Sequence, residues 1–152
     1  MSKRSTDHAT FVIERTYDAP RERVFSAWAD QPSKSRWFGP GEGHELDFRV
    51  GGHEHLLARM DDGTAYSFDA IYQDIVDNER IIYSYDMHRD HVRISVSVTT
   101  VEMVPAGEGT LLRFTEQGVF LDGEDNPESR EHGTGKLLDA LGETLAQEVP
   151  AS

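Results

Sequence analysis

The feature that most constrains the fold is a change of hydrophobic period along the chain. From Glu45 to Leu121 apolar residues recur at every second position in short runs, as in strands with one face turned to a core. From Pro127 to Ala146 they recur at helical spacing instead. Leu46, Phe48 and Val50 share a side, as do Tyr66, Phe68, Ala70 and Tyr72, and then Ile81, Tyr83, Tyr85 and Met87. Between the runs stand Gly51-Gly52, Asp61-Asp62-Gly63, Asp77-Asn78-Glu79 and the stretch from Pro105 to Gly109, turn chemistry that joins strands as hairpins. Hairpins in series make an antiparallel sheet.

Ahead of this series, Thr10 to Tyr17 is predicted as a strand, and Pro20 opens a helix over Arg21 to Asp30 with Val24, Phe25 and Trp28 on one face. Gln31-Pro32 should stop that helix. Ser33 to Gly43 is expected as a loop or single helical turn that sets Trp37 and Phe38 at a cavity rim. In the next-to-last strand Val92, Ile94, Val96 and Val98 are expected to face inward opposite Ser95 and Ser97, with a bulge near Thr99-Thr100 shifting the face before Val104. Thr110 to Gln117 is the last strong strand.

Asn126-Pro127-Glu128 then begins the closing helix with a capping side chain, a proline at the first helical position and an acid at the positive end of the dipole. Leu137, Leu138, Leu141 and Leu145 form its apolar stripe. Gly133, Gly135 and Gly142 interrupt it, each at roughly 1 kcal/mol relative to alanine, which calls for close packing on the sheet or a bend that opens a cavity.

No repeat, low-complexity tract or linker divides the 152 residues, so a single domain over 10–147 is expected between a disordered N-terminal tail, 1–9, and a C-terminal tail, 148–152. A net charge of -13 repels phosphate backbones and anionic surfaces, which argues against nucleic acid as a partner and against membrane insertion. Zero cysteines exclude disulfides and thiolate metal centres. With no apolar run near the ~20 residues of a membrane span and a polar first ten residues, a cytoplasmic location is expected.

The motifs Arg36-Trp37-Phe38, Asp47-Phe48-Arg49-Val50-Gly51-Gly52, Gly109-Thr110-Leu111-Leu112, Thr115-Glu116-Gln117-Gly118 and Gly135-Lys136-Leu137-Leu138-Asp139-Ala140-Leu141 follow one another over residues 10–147. In this order they resemble the SRPBCC, or START-like, superfamily, in the branch of the activator of Hsp90 ATPase homologues and calicheamicin-resistance proteins. The resemblance implies an α+β helix-grip fold, a bent antiparallel sheet of six to seven strands around a long C-terminal helix. It further implies a cavity that binds a hydrophobic small molecule in many members, cyclase-type chemistry in some and a chaperone contact in a few, with no cofactor. Many relatives carry tryptophan after the glycine of the last helix; Lys136 stands there in this chain.

Cavity positions expected on this basis are Trp37, Phe38, Tyr66, Phe68, Tyr83, Tyr85, Ile94, Val96, Phe114, Thr134, Leu138 and Leu141. Glu116 shares strand parity with Leu112 and Phe114, so it should point inward, where desolvation raises a carboxyl's pKa and makes it the one candidate acid or base. His53 and His55 share a strand face near His44 and Glu45, but no helical H-E-x-x-H pattern or orienting second shell accompanies them, and no metal is expected. The loop from Asp122 to Asn126 lacks the spacing of a calcium loop, and no serine or cysteine nucleophile motif occurs.

Overall fold

The period-two runs become six strands in hairpin series: β2 (Glu42–Leu46), β3 (His53–Arg59), β4 (Ala65–Val76), β5 (Arg80–Arg89), β6 (Val92–Ala106) and β7 (Gly109–Leu121). The structure, a computed structural model, describes residues 4–39 and 42–148. The first strand, β1 (Thr6–Tyr17), pairs antiparallel with the last, from Thr6 opposite Leu121 to Tyr17 opposite Thr110. The sheet order is therefore β1-β7-β6-β5-β4-β3-β2, with β1 and β2 at opposite edges. Two short helices, α1 (Arg21–Ala29) and α2 (Gln31–Phe38), carry the chain between those edges, and the long helix α3 (Pro127–Gln147) closes the α+β helix-grip arrangement. Among the described residues no helix is long and apolar enough to cross a membrane.

Alternation decides which side of each strand joins the core. Phe68, Ala70 and Tyr72 of β4, Ile81, Tyr83 and Tyr85 of β5, and Leu112 and Phe114 of β7 are buried on the inner face, where they meet Leu138, Leu141 and Leu145 of α3. The start of α3 is fixed as its sequence suggests: the Asn126 side chain accepts a hydrogen bond from the Ser129 N–H at 2.9 Å, with Pro127 opening the first turn. Its grip on the sheet includes Tyr17, whose hydroxyl donates to the Leu138 carbonyl at 2.7 Å. A methyl group at Gly142 would stand 3.2 Å from the Tyr17 ring, so this glycine lets helix and strand approach, whereas Gly133 faces open space. Close packing accounts for Gly142 and not for Gly133.

Several expectations need correction. β1 begins at Thr6, so part of the expected N-terminal tail 1–9 is strand, held by its ladder to β7. α1 ends at Ala29, ahead of Gln31-Pro32 as expected, but helix resumes at once. Pro32 sits in the first turn of α2, where its missing N–H has no role, the Asp30 side chain caps that turn by accepting from the Ser33 N–H, and α2 runs to Phe38 in place of the expected loop or single turn. β2 stops at Leu46, leaving Val50 exposed in the turn before β3. Two glycines close this turn for different reasons: Gly51 has a φ of +84°, and at Gly52 a side chain would strike the Asp47 carbonyl at 2.0 Å.

The inner face of β6 is the reverse of the expected one. Ser95, Ser97, Thr99, Val101 and Met103 point inward, while Val92, Val98 and Val104 are exposed. No face shift occurs near Thr99-Thr100: the ladder to β7 runs unbroken from Ser95 opposite Phe120 to Ala106 opposite Gly109. The irregularity lies instead between β5 and β6, where the register slips at Met87/His88.

Candidate functional site

The inner face of the sheet, α1, α2 and α3 enclose a cavity of about 420 Å³. Eight aromatic side chains line it: Trp28 from α1, Trp37 and Phe38 from α2, Tyr66 and Phe68 from β4, Tyr83 and Tyr85 from β5, and Phe114 from β7. Thr134, Leu137 and Leu138 of α3 cover one side. The rings pack edge to face, with Phe38 5.0 Å from Phe68 and Trp28 4.7 Å from Trp37 between centroids. Trp37, expected at the rim, is a buried wall residue whose Nε1 donates to the Ala27 carbonyl at 3.0 Å. The most exposed lining residues are Ser129 and Gly133, in the first turns of α3, with Phe38, Tyr66, Met87, Asp125 and Leu137 part-exposed.

Three of the expected positions lie elsewhere. Val96 faces the other side of the sheet, beside Asp69, Asp86 and Arg93, because β6 has the opposite parity. Ile94 is buried where β5 and β6 lose register, outside the cavity wall. Leu141 is fully buried, one turn past Leu138, and packs in the core below the cavity.

At one end of the cavity Glu116 gathers a polar cluster. Its carboxylate accepts from the Tyr85 hydroxyl at 2.8 Å, from Ser97 at 3.2 Å and from Thr99 at 3.4 Å. Arg130, one turn into α3, places its NH1 on the Tyr85 hydroxyl at 2.8 Å and on Glu116 at 3.5 Å, and its NH2 on Ser95 at 2.8 Å and Asp125 at 2.9 Å. The guanidinium also lies 5.1 Å from the Phe120 ring centroid. The inverted face of β6 follows from this cluster: a buried carboxylate and guanidinium need hydrogen-bond partners, and the hydroxyls of Ser95, Ser97 and Thr99 supply them. Burial pushes the Glu116 carboxyl above its ordinary value, and the Arg130 charge with the Tyr85, Ser97 and Thr99 hydrogen bonds does not cancel that rise. Burial likewise raises Tyr85, which stays a neutral donor.

Behind the aromatic wall a second buried cluster joins α2 to the sheet. Lys34 and Glu54 are both sealed from solvent, with Nζ 2.7 Å from the Glu54 carboxylate. Tyr72 donates to the same oxygen at 2.6 Å, and the His44 Nε2 stands 2.8 Å from the other. The ammonium lies 4.4 Å from the Phe38 centroid and 5.2 Å from that of Trp28. Burial alone would push Glu54 up, but the Lys34 charge and the hydrogen bonds of His44, Lys34 and Tyr72 hold it down at about 2.

Arg130, Lys34 and Glu54 are not among the expected site residues, and His44 was weighed there only as a metal ligand, although two of the four carry a signal. Arg130 stands four and eight residues before Thr134 and Leu138, on one helix face, and Glu54 shares strand parity with the buried Leu56. The imidazoles weighed as a metal set are divided: His44 turns inward to Glu54, while His55 pairs with Asp69 at 2.6 Å on the exposed face. On that outer face Asp69, Asp86 and His88 bring ligand atoms within 4.8 Å of one another, with His55 and Arg93 already bonded to the two carboxylates.

Comparison with known proteins bears on this architecture. A protein of Rhizobium leguminosarum, described as uncharacterized, has a solved structure 44% identical to this chain with a TM-score of 0.92, covering 97% of this chain and 100% of that one. The Mll3558 protein from Rhizobium loti is 46% identical, with a TM-score of 0.88 over 92% of this chain and 99% of that one. CalU16 from Micromonospora echinospora shares the fold at 23% identity and a TM-score of 0.68, over 96% of this chain and 87% of that one. No curated protein matches. The family described as activator of Hsp90 ATPase homolog 1-like protein matches residues 18–146, from the start of α1 to the last turn of α3 and thus across every wall of the cavity, and the chain belongs to that family.

Proposed function

We propose that this protein binds a hydrophobic small molecule, of lipid, aromatic or polyketide-like character, in the cavity between the sheet and α3. The observation that carries this reading is the cavity itself: about 420 Å³ of space walled by aromatic side chains, with a few polar groups converging at one end. A core built only for stability fills such space, because unfilled volume costs about 24 cal/mol per Å³. The acid–base alternative for Glu116 has less support, since Tyr85, Ser97, Thr99 and Arg130 already engage its oxygens. A chaperone contact rests on the family description alone.

Both tryptophans of the chain, Trp28 and Trp37, line the cavity, so a ligand there should change their fluorescence. A ligand at a hundred times its dissociation constant should also add about 2.7 kcal/mol to stability and raise the melting temperature. A panel of fatty acids and alcohols, naphthyl compounds and polyketide-like quinones, read by both signals, tests this. Folded protein that answers to none of them would overturn the reading.

A further inference from the structure

Resting on that reading, we infer that the ligand is an uncharged aromatic or polycyclic molecule bearing a hydroxyl or carbonyl group, and that the cavity discriminates against both anionic and cationic amphiphiles. The argument is one of charge and of hydrogen-bond capacity. Among the lining residues only Glu116, Asp125 and Arg130 carry charge. One cation therefore faces two carboxyl groups, so the polar end is neutral with Glu116 protonated and carries a single negative charge with it ionised. In neither state does it offer an excess of positive charge.

Nor does it offer a free fork. A guanidinium binds a carboxylate or phosphate best through a pair of parallel N–H donors, and Arg130 has two N–H groups on each terminal nitrogen. Those on NH1 go to Tyr85 and Glu116, and those on NH2 go to Ser95 and Asp125. An incoming anion must displace Asp125 or Glu116 and would then lie beside the carboxylate it displaced. The second buried cation gives no help, because Lys34 stands behind the rings of Phe38 and Trp28 and is matched by Glu54 at 2.7 Å.

A cationic group finds no free acceptor: the Glu116 oxygens already take hydrogen bonds from Tyr85, Ser97, Thr99 and Arg130, those of Asp125 from Arg130 and the Asn126 N–H, and a second cation would have to displace Arg130 from between the two carboxyls. An uncharged hydroxyl or carbonyl meets neither penalty. It can exchange hydrogen bonds with hydroxyls such as that of Thr134 while its ring system fills the aromatic walls. Flat ring systems suit those walls better than a flexible acyl chain, which loses rotational freedom on entry.

Three probes sharing one ring system isolate the charge: 2-naphthol, 2-naphthoate and 2-naphthylmethylamine, titrated by calorimetry into the full chain at pH 7, where they are neutral, anionic and cationic. The expected result is binding of 2-naphthol at least about tenfold tighter than either ion, equivalent to about 1.4 kcal/mol. Asp125→Ala, at a part-exposed position, should free an N–H on the NH2 of Arg130 and narrow the gap between 2-naphthoate and 2-naphthol severalfold. Either ion binding as tightly as 2-naphthol overturns the inference, as does failure of all three probes while a fatty acid of the wider panel binds. Silence from these probes and from the whole ligand panel overturns the cavity-binding reading itself.

Discussion

Glu54 and Glu116 are both withdrawn from water on the inner side of one sheet, yet they are held in opposite ways. Glu54 has an ammonium of its own at 2.7 Å, a phenol at 2.6 Å and an imidazole at 2.8 Å, and it is ionised with a pKa of about 2. Glu116 has a guanidinium only at 3.5 Å, shared with Asp125, and burial lifts its pKa. The first arrangement is closed: each partner faces another partner, and the cluster ties α2 to β3 and β4. The second lies on the cavity wall and balances its charges loosely. Loose balance at a cavity wall is what a binding site for an outside group requires, and tight balance behind the wall is what holds the wall in place.

The sharpest way to break this comparison is to remove the closed cluster's cation. Lys34→Met leaves a buried carboxylate uncompensated, and the expected loss is about 3–5 kcal/mol of unfolding free energy. Urea unfolding at pH 7 measures it. A loss below about 1 kcal/mol would mean that Lys34 and Glu54 do not pin α2, and the distinction between the two carboxylates would fall.

Acid supplies the next largest effect. The Glu54 carboxyl lies below its ordinary value of 4.5 when folded, so its contribution to stability is complete above pH 4.5 and disappears as the pH falls toward about 2. The span corresponds to roughly 3 kcal/mol. Glu116 has the opposite sign: its pKa is raised on folding, so its contribution is present below 4.5 and is lost as pH rises through the folded value. Urea midpoints measured in wild type and in Glu54→Gln across this range should converge as the pH falls. If the difference between them held constant down to pH 2.5, Glu54 would not be the titrating group.

The strands and the hairpin pairing of β2 to β7 were legible in the sequence because strand parity is a rigid rule and most inner faces are apolar, whereas the pairing of β1 with β7 joins distant segments and had no local signal. β4 follows the parity rule from Tyr66 to Tyr72 and β5 from Ile81 to Met87, with one slip at Tyr72/Asp74 that turns Ile75 to the core. β6 did not, and the reason is instructive. Val101 and Met103 fixed its inner face, and continuous parity from them would have turned Ser95, Ser97 and Thr99 inward. Preferring valines inside instead required a face shift that the β6–β7 ladder does not contain. The polar inner stripe is local evidence against hydrophobic patterning because Glu116 and Arg130, from distant segments, must be satisfied there. Lys34 was illegible for a related cause. Nothing within α2 reveals that a carboxylate twenty residues away will meet it, and a lysine beside an apolar face ordinarily turns to water.

Arg130→Met tests the looser cluster at intermediate size. The variant leaves Glu116, Asp125, Tyr85 and Ser95 without their shared donor, and about 2 kcal/mol should be lost at pH 7. The loss should shrink as the pH falls through the raised folded value of Glu116, because a protonated Glu116 no longer needs a cation. Stability curves for wild type and variant that run parallel from pH 4 to pH 8 would show that Glu116 does not depend on Arg130.

The smallest effect belongs to Glu116→Gln, and its smallness is the point. The substitution keeps the shape of the side chain and removes a charge whose burial is unfavourable, while the hydroxyls of Tyr85, Ser97 and Thr99 can rotate to meet an amide. Losses and gains nearly offset, so stability at pH 7 should move by less than about 1 kcal/mol, against several for the corresponding change at Glu54. The slope of stability with pH above 4.5 should flatten, because the variant no longer has a carboxyl whose proton is held more tightly in the folded state. A Glu116→Gln protein destabilised as much as Glu54→Gln would show that both carboxylates serve the fold alone. Near-equal stability with a flattened pH slope would instead assign Glu116 to the cavity, where its charge costs stability and its position at the polar end is what the ligand meets.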